Sequence, residues 1–214
     1  MSELNAEQIL NPIAPKKELQ IIDGEFQIET FNDFGEQARK MMQVGAAPKS
    51  FKTIAEVVGA LFLAKNLGLR ATAINEMYYI GGKLTVYGST LMSIVQSSPR
   101  YLEWVEYSYD EEGNVICPPN KNVKTKPFGV AVKVRNKGCT EFTEFYFNLD
   151  QAKEAGLFKN AVWKQYTVDM LFWKARARAM KALFALELHG ANMKEEVEME
   201  QISNQRDVVD LNNV

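Results

Sequence analysis

The strongest hydrophobic pattern in the chain runs from Asn160 to Gly190, a stretch with no proline or glycine between its ends. Asn160 suits an N-cap because its side-chain oxygen can accept an unpaired backbone N–H. Gly190 suits a helix end because glycine readily adopts left-handed backbone angles. Between them, apolar side chains point in almost every direction at about 100° per residue. The pattern predicts one long helix that is buried on most sides.

Three basic residues share one face of this predicted helix. Lys174, Arg178 and Lys181 follow at spacings of four and three residues, and Lys164 lies near the same face. These three are termed the cation row below. A buried cation is costly unless it is paired, so the row either meets an anion outside the helix or reaches water and distant carboxylates. The helix alone leaves both interpretations open.

Shorter patterns predict the rest of the fold. Helical periodicity covers residues 32–44 and 50–67, where Asn32 or Asp33 and then Ser50 would be the N-caps. Alternating segments predict two hairpins, 77–80 with 84–87 across Gly81-Gly82 and 128–135 with 140–147 across Asn136-Lys137-Gly138. The order predicts an α+β domain over residues 19–193, with a small, mostly antiparallel sheet backed by the long C-terminal helix. Residues 1–18 read as a flexible arm.

Composition narrows the class of protein. No apolar run reaches the length of a membrane span, and the N-terminus lacks the pattern of a signal peptide. Cys117 and Cys139 lack metal-ligand spacing and read as reduced thiols. We therefore expect a cytoplasmic protein with no membrane partner.

Charge is distributed unevenly along the chain. Residues 194–214 hold two basic and six acidic residues, a net charge of −4, and are expected to form a disordered acidic tail. Because the whole chain carries −2, residues 1–193 carry +2. Residues 121–137 contain six lysines or arginines and no acidic residue. Such a basic loop is either a solvated surface or part of a polyanion site.

Two segments in this order resemble the RecT family of phage single-strand annealing proteins, which includes the Redβ-like relatives. The first is ALFLAKNLGLRATAINEMYYIGGKLTVYGSTLMSIVQSS, a helix, a hairpin and a glycine-led helix. The second is VWKQYTVDMLFWKARARAMKALF, which is similar to the closing pattern of the family. Between them, FYFNLDQAKEAGL resembles the usual strand and short helix. The resemblance covers roughly residues 51–188 and depends on the order of the motifs.

The resemblance implies a DNA-binding protein of phage recombination that is not an enzyme and needs no cofactor. It implies assembly into rings or helical filaments, with single-stranded DNA and the annealed duplex held in an outer basic groove. Annealing would proceed without ATP in the bacterial host cell. Partners implied are a phage exonuclease and the host single-strand binding protein. Larger members of the family have a separate C-terminal domain after the core, whereas we expect none here, so the resemblance does not extend to a dedicated partner-binding module.

An annealing protein must hold a strand by its phosphates and leave the base edges open, and Lys and Arg provide such contacts. Lys174 and Arg178 are therefore the first candidates, followed by Lys164 and Lys181. The further candidates are Lys83 and Arg70 near the first hairpin, and Lys121, Lys124, Lys126, Lys133, Arg135 and Lys137 as a clamp.

Aromatic residues offer stacking surfaces for bases. Trp163, Tyr166 and Tyr79 are the candidates, although aromatic residues in a hairpin or a buried helix are more often part of the core. We expect Arg176, which lies off the cation row, to form a structural ion pair with Asp169.

Two other classes of function remain open. A metal-dependent nuclease would need clustered Asp, Glu or His ligands, whereas the carboxylates here are scattered or lie in the tail. No glycine-rich phosphate loop precedes a Lys-Ser or Lys-Thr pair, which argues against an ATP-driven motor. A structural assembly protein is the third possibility, in which the cation row of one copy meets the acidic tail of another.

Overall fold

This computed structural model describes residues 21–22, 25–26, 30–116 and 127–197. The fold is α+β, as predicted, with two wholly antiparallel sheets of two and four strands and a mixed sheet of three strands. A short pairing joins β1 (Ile21–Ile22) to β2 (Glu25–Phe26). The predicted arm, Cys117 and the loop residues Lys121, Lys124 and Lys126 lie outside the described residues.

Two capped helices begin the main fold. In α1 (Phe31–Gln43) the carboxylate of Asp33 accepts the backbone N–H of Thr30, at 2.6 Å. In α2 (Ile54–Asn66) the hydroxyl of Thr53 accepts the N–H of Glu56, whose carboxylate accepts the N–H of Thr53 in return. The predicted cap at Ser50 is thus three residues too early, because the reciprocal Thr-x-x-Glu pair fixes the start.

A three-stranded sheet follows the 3-10 helix Ala71–Glu76. The predicted hairpin is confirmed: β3 (Met77–Ile80) pairs antiparallel with β4 (Lys83–Val86). Gly81 and Gly82 both have positive φ, which a tight two-residue turn of this kind requires. After α3 (Gly88–Ser97), the third strand comes from far along the chain, where β9 (Asn192–Met193) pairs parallel with β4.

The four-stranded sheet has the order β6-β5-β7-β8. Its strands are β5 (Tyr101–Tyr109), β6 (Val115–Ile116), β7 (Gly129–Asn136) and β8 (Thr143–Asn148). The predicted hairpin of β7 and β8 is confirmed. The buried valines of β7 (Val130, Val132 and Val134) alternate with Ala131, Lys133 and Arg135, so the sheet has a core face and an outer face.

The stretch from Asn160 to Gly190 is three helices rather than the single helix predicted. They are α5 (Ala161–Gln165), α6 (Thr167–Leu183) and α7 (Ala185–Leu188), after α4 (Leu149–Glu154) and a 3-10 turn. The N-cap at Asn160 is confirmed, since its side chain accepts the N–H of Val162 at 2.8 Å.

The breaks in this stretch fall at Tyr166 and Phe184, whose backbone angles leave the helical region. At the first break, the hydroxyl of Thr167 donates to the carbonyl of Trp163 at 2.7 Å, a local bond that competes with the helical ladder. At the second, Phe184 is fully buried. The turn at Phe184 therefore places the ring in the core.

Helix α6 packs across β7 and β8, and Ala175, Ala177 and Ala179 along it are buried. Small side chains let a helix lie close to its neighbours. Among the described residues, no helix is both long and apolar enough to cross a membrane.

Candidate nucleic-acid interface

The cation row lies on α6, as predicted, but its side chains have different surroundings. Lys174 is largely covered, with 18% of its side chain exposed, whereas 51% of the Lys181 side chain is exposed. Arg178 is exposed between them along the helix. The row therefore passes from a covered end to an open one.

A carboxylate of the same chain lies between the two lysines. The ammonium of Lys181 is 2.5 Å from one oxygen of Glu196, and that of Lys174 is 3.8 Å from the other. Only 12% of the Glu196 side chain is exposed. The Lys174–Glu196 pair, in which both side chains are largely covered, interacts more strongly than a pair in bulk water because screening by solvent is reduced. The row thus binds an anion in this structure.

Glu196 belongs to a segment that folds onto the domain, residues 192–197, here termed the acidic strap. It consists of β9 and a helical turn over residues 194–197. Met193 and Val197 are buried and anchor the strap in the core. The tail expected to be disordered from residue 194 is therefore ordered over its first four residues, and residues 198–214 lie outside the described part.

Arg178 makes a different set of contacts. Its guanidinium donates to the backbone carbonyl of Tyr146 at 3.0 Å and lies 4.6 Å from the ring centroid of Phe147. Both partners are in β8, at the edge of the four-stranded sheet. A cation at an open edge discourages pairing with another strand. Arg178 therefore shields that edge while remaining exposed beside the lysines.

Arg176 forms a structural ion pair, but not with the predicted partner. Its guanidinium donates two hydrogen bonds to the carboxylate of Glu106, at 2.7 and 2.6 Å. The ring of Trp173 lies 4.6 Å from the guanidinium carbon. Asp169 was chosen for its helical position, but it lies two turns away, whereas Glu106 reaches across from the core face of β5. Glu106 is 70 positions from Arg176 in the sequence, so helical spacing could not indicate it as the partner.

The outer face of the four-stranded sheet carries other candidates. Lys133 lies 3.6 Å from the carboxylate of Glu144 in the neighbouring strand. Arg135 pairs with Glu103 across the β5–β7 register and lies 4.8 Å from the ring of Phe142. Cross-strand pairs of this kind stabilise a sheet. The two cations are thus balanced by two carboxylates, and the sheet separates them from α6.

The hydroxyl of Tyr107 on this outer face donates to the carboxylate of Glu144. Burial, as the main cause, and this hydrogen bond, as the second, raise the pKa of Tyr107 to about 12. An unfolded tyrosine ionises near pH ~10. Because the folded pKa is the higher one, the protonated phenol favours the fold below about pH 10, and this contribution is lost between about pH 10 and 12.

We expect the tyrosinate absorbance of the Tyr107→Phe variant to differ from that of the wild type by one group titrating near pH 12. In Glu144→Gln the midpoint should fall but stay above ~10, because the carboxylate charge is gone while burial, the larger cause, remains. The check is an ultraviolet pH titration of the three proteins. A difference curve centred at ~10 for the wild type would contradict the assignment.

The remaining cationic candidates are dispersed. Lys164 is exposed on α5, Lys83 is exposed where β4 begins, and Arg70 is exposed just before the 3-10 helix. Lys124 and Lys126 lie outside the described residues. Within the described part, the cation row brings three predicted phosphate contacts together on one element, whereas β7 brings two, Lys133 and Arg135, and each of these is paired with a carboxylate.

The aromatic candidates differ in exposure. Trp163 is fully buried, with its ring edge-to-face against Phe147 and Phe158, so the prediction that it stacks on bases is wrong for this structure. Tyr79 is partly buried, and its ring meets Phe51 edge-to-face at 5.8 Å. Tyr166 is 49% exposed and is the one of the three with an open surface.

Glu196 is the residue of this candidate site that the sequence did not single out. The available signal was charge complementarity, because the acidic run after Met193 matches the basic face of α6.

Among the described residues, no group of three or more His, Cys, Asp or Glu side chains is placed to hold a metal ion. A scan against protein-family models finds no family that matches the chain, and a search of curated proteins finds no matching sequence.

Proposed function

We propose that this protein binds single-stranded DNA through the cation row and anneals complementary strands without ATP. The observation that supports this most directly is the convergence of Lys174 and Lys181 on one carboxylate. A site that attracts a carboxylate also suits a phosphate, which is an anion with several acceptor oxygens. The resemblance of residues 51–188 to RecT-like proteins points to the same ligand.

The mechanism uses backbone contacts rather than base recognition. Lys181 and the exposed Arg178 meet successive phosphates, and Lys174 completes the row. Such contacts are independent of sequence and weaken with salt. Tyr166, which is exposed just before α6, offers its ring to one base. The base edges of the held strand face outward, so a complementary strand can pair with them.

Annealing over a long strand requires many copies of the site in line. The proposal therefore includes a homo-oligomer, either a ring or a helical filament, that presents the cation rows side by side along the DNA. In the bacterial cytoplasm it would load onto single strands left by a phage exonuclease and work beside the host single-strand binding protein.

The decisive experiment is an annealing assay with two complementary oligonucleotides, one carrying a fluorophore and the other a quencher, in the absence of nucleotide. We expect the protein to accelerate quenching, and binding of one strand to weaken with a log–log salt slope of about −0.7 per phosphate contacted. Electron microscopy should show larger assemblies once both strands are present. No acceleration would overturn the proposal, as would cleavage of the strands with Mg²⁺ or Mn²⁺.

A further inference from the structure

We propose that the acidic strap, residues 192–197, is an internal competitor for the DNA site and that single-stranded DNA displaces it. This inference rests on the proposed function and concerns regulation of the same site. Glu196 takes the place that a phosphate would take between Lys174 and Lys181. Lys174 is covered while Glu196 is docked, so contact of DNA with the whole cation row and docking of Glu196 exclude one another.

The strap is held by several contacts besides Glu196. The carboxylate of Glu195 accepts the backbone N–H of Gly88 at 3.1 and 3.3 Å, at the start of α3. The ammonium of Lys194 lies 4.2 and 4.3 Å from the rings of Tyr78 and Tyr87, and donates to the Tyr87 hydroxyl at 3.1 Å. These contacts involve none of the three cations of the row, yet they position Glu196 beside it.

The segment that attaches the strap to the domain is nevertheless short. Its pairing with β4 covers two residues, Asn192 and Met193, and the described part of the strap continues for four helical residues, 194–197. Short terminal elements open locally at low free-energy cost compared with the core. Val197 is the one buried side chain in residues 194–197, so this turn leaves by exposing Val197 while β9 stays paired.

The exposure of the row sets the order of displacement. Lys181 and Arg178 are exposed while Glu196 is docked, so a DNA strand can contact them first. Lys174 is covered and is reached only when Glu196 moves. A strand that is already held by Lys181 and Arg178 keeps its next phosphate close to Lys174, so it competes with Glu196 more effectively than a single free phosphate does. The strap consequently favours long strands over short anions.

The direct test compares Glu196→Gln with Glu36→Gln. Gln keeps the shape of the side chain and removes its charge, and the control removes the same charge from a pair with Lys40 on α1. Affinity for labelled oligo(dT) is measured by fluorescence anisotropy. We expect Glu196→Gln to bind roughly three- to tenfold more tightly than the wild type, equal to about 0.7–1.4 kcal/mol, and the control to bind as the wild type does.

A second measurement needs no variant. Hydrogen exchange of the wild type is followed with and without oligo(dT), and we expect the amides of residues 194–197 to exchange faster when DNA is bound. Equal affinity of both variants, or unchanged exchange in this turn, would overturn the displacement of the strap while leaving DNA binding intact. If no variant and no wild-type protein binds oligo(dT) at low salt, the proposed function itself fails.

Discussion

The Lys174→Gln, Lys181→Gln double variant is expected to bind single-stranded DNA at least ~10-fold more weakly than the wild type, the equivalent of about 1.4 kcal/mol. Two phosphate contacts are lost, so the log–log salt slope should become shallower by about 1.4. Binding is measured by anisotropy at several salt concentrations. The matched control is Lys40→Gln, Lys153→Gln, which removes two cations from exposed ion pairs with Glu36 and Asp150.

Glu196 would lose both of its cations in this double variant, and an unpaired covered carboxylate destabilises a fold. Adding Glu196→Gln removes that charge, because replacing all partners of an ion pair is often nearly neutral. We therefore expect the triple variant to unfold like the wild type yet still bind weakly. Wild-type affinity in the folded triple variant would show that the cation row is not the DNA site.

The second large effect is expected in the core rather than at the interface. Trp163→Ala should lower the free energy of unfolding by about 3–5 kcal/mol, because it empties a fully buried site between two aromatic rings. Tyr166→Ala is the control and should change stability by no more than ~0.5 kcal/mol, since Tyr166 is half exposed.

Urea denaturation followed by circular dichroism measures both changes. A Trp163→Ala protein as stable as the wild type would mean that this ring is not packed as the structure places it. The pair also separates two roles for aromatic residues. Loss of DNA affinity in the folded Tyr166→Ala variant, with no loss of stability, is what a ring that stacks on a base would give.

Local signals made much of the fold predictable. Two glycines in succession forced a tight turn between β3 and β4, and Asn136-Lys137-Gly138 marked the start of the longer loop, residues 137–142, between β7 and β8. Asn160 marked a helix start through its own side chain. Each of these features depends on residues only a few positions apart, so the sequence contains all the information needed.

The breaks inside the Asn160–Gly190 stretch depended on tertiary structure. Nothing local prevents a helix from continuing through Phe184, but ending it there buries the ring. Arg176 meets Glu106 only because the four-stranded sheet that contains β5 packs against α6. Helical periodicity identifies neighbours along one helix, and it contains no information about which strand lies opposite.

The candidate site was predictable in part. The spacing of Lys174, Arg178 and Lys181 was enough to place them on one face of a helix. It was not enough to show that Lys174 is covered, that Arg178 reaches the edge of β8, or that Glu196 of the same chain lies between the lysines. The positions of Glu196 and Lys174 depend on how β9 returns to β4, and the contact of Arg178 depends on how α6 packs against β8.

The return of β9 has a consequence for synthesis on the ribosome. Gly88 and Glu195, which meet beside this strand, are 107 residues apart in the chain. Domains fold as the chain emerges, from the N-terminus onward. The edge of β4 and the basic face of α6 must therefore stay open until residue 197 has left the exit tunnel. Until then, the edge of β4 and the two lysines of α6 lack the segment that covers them in the folded protein.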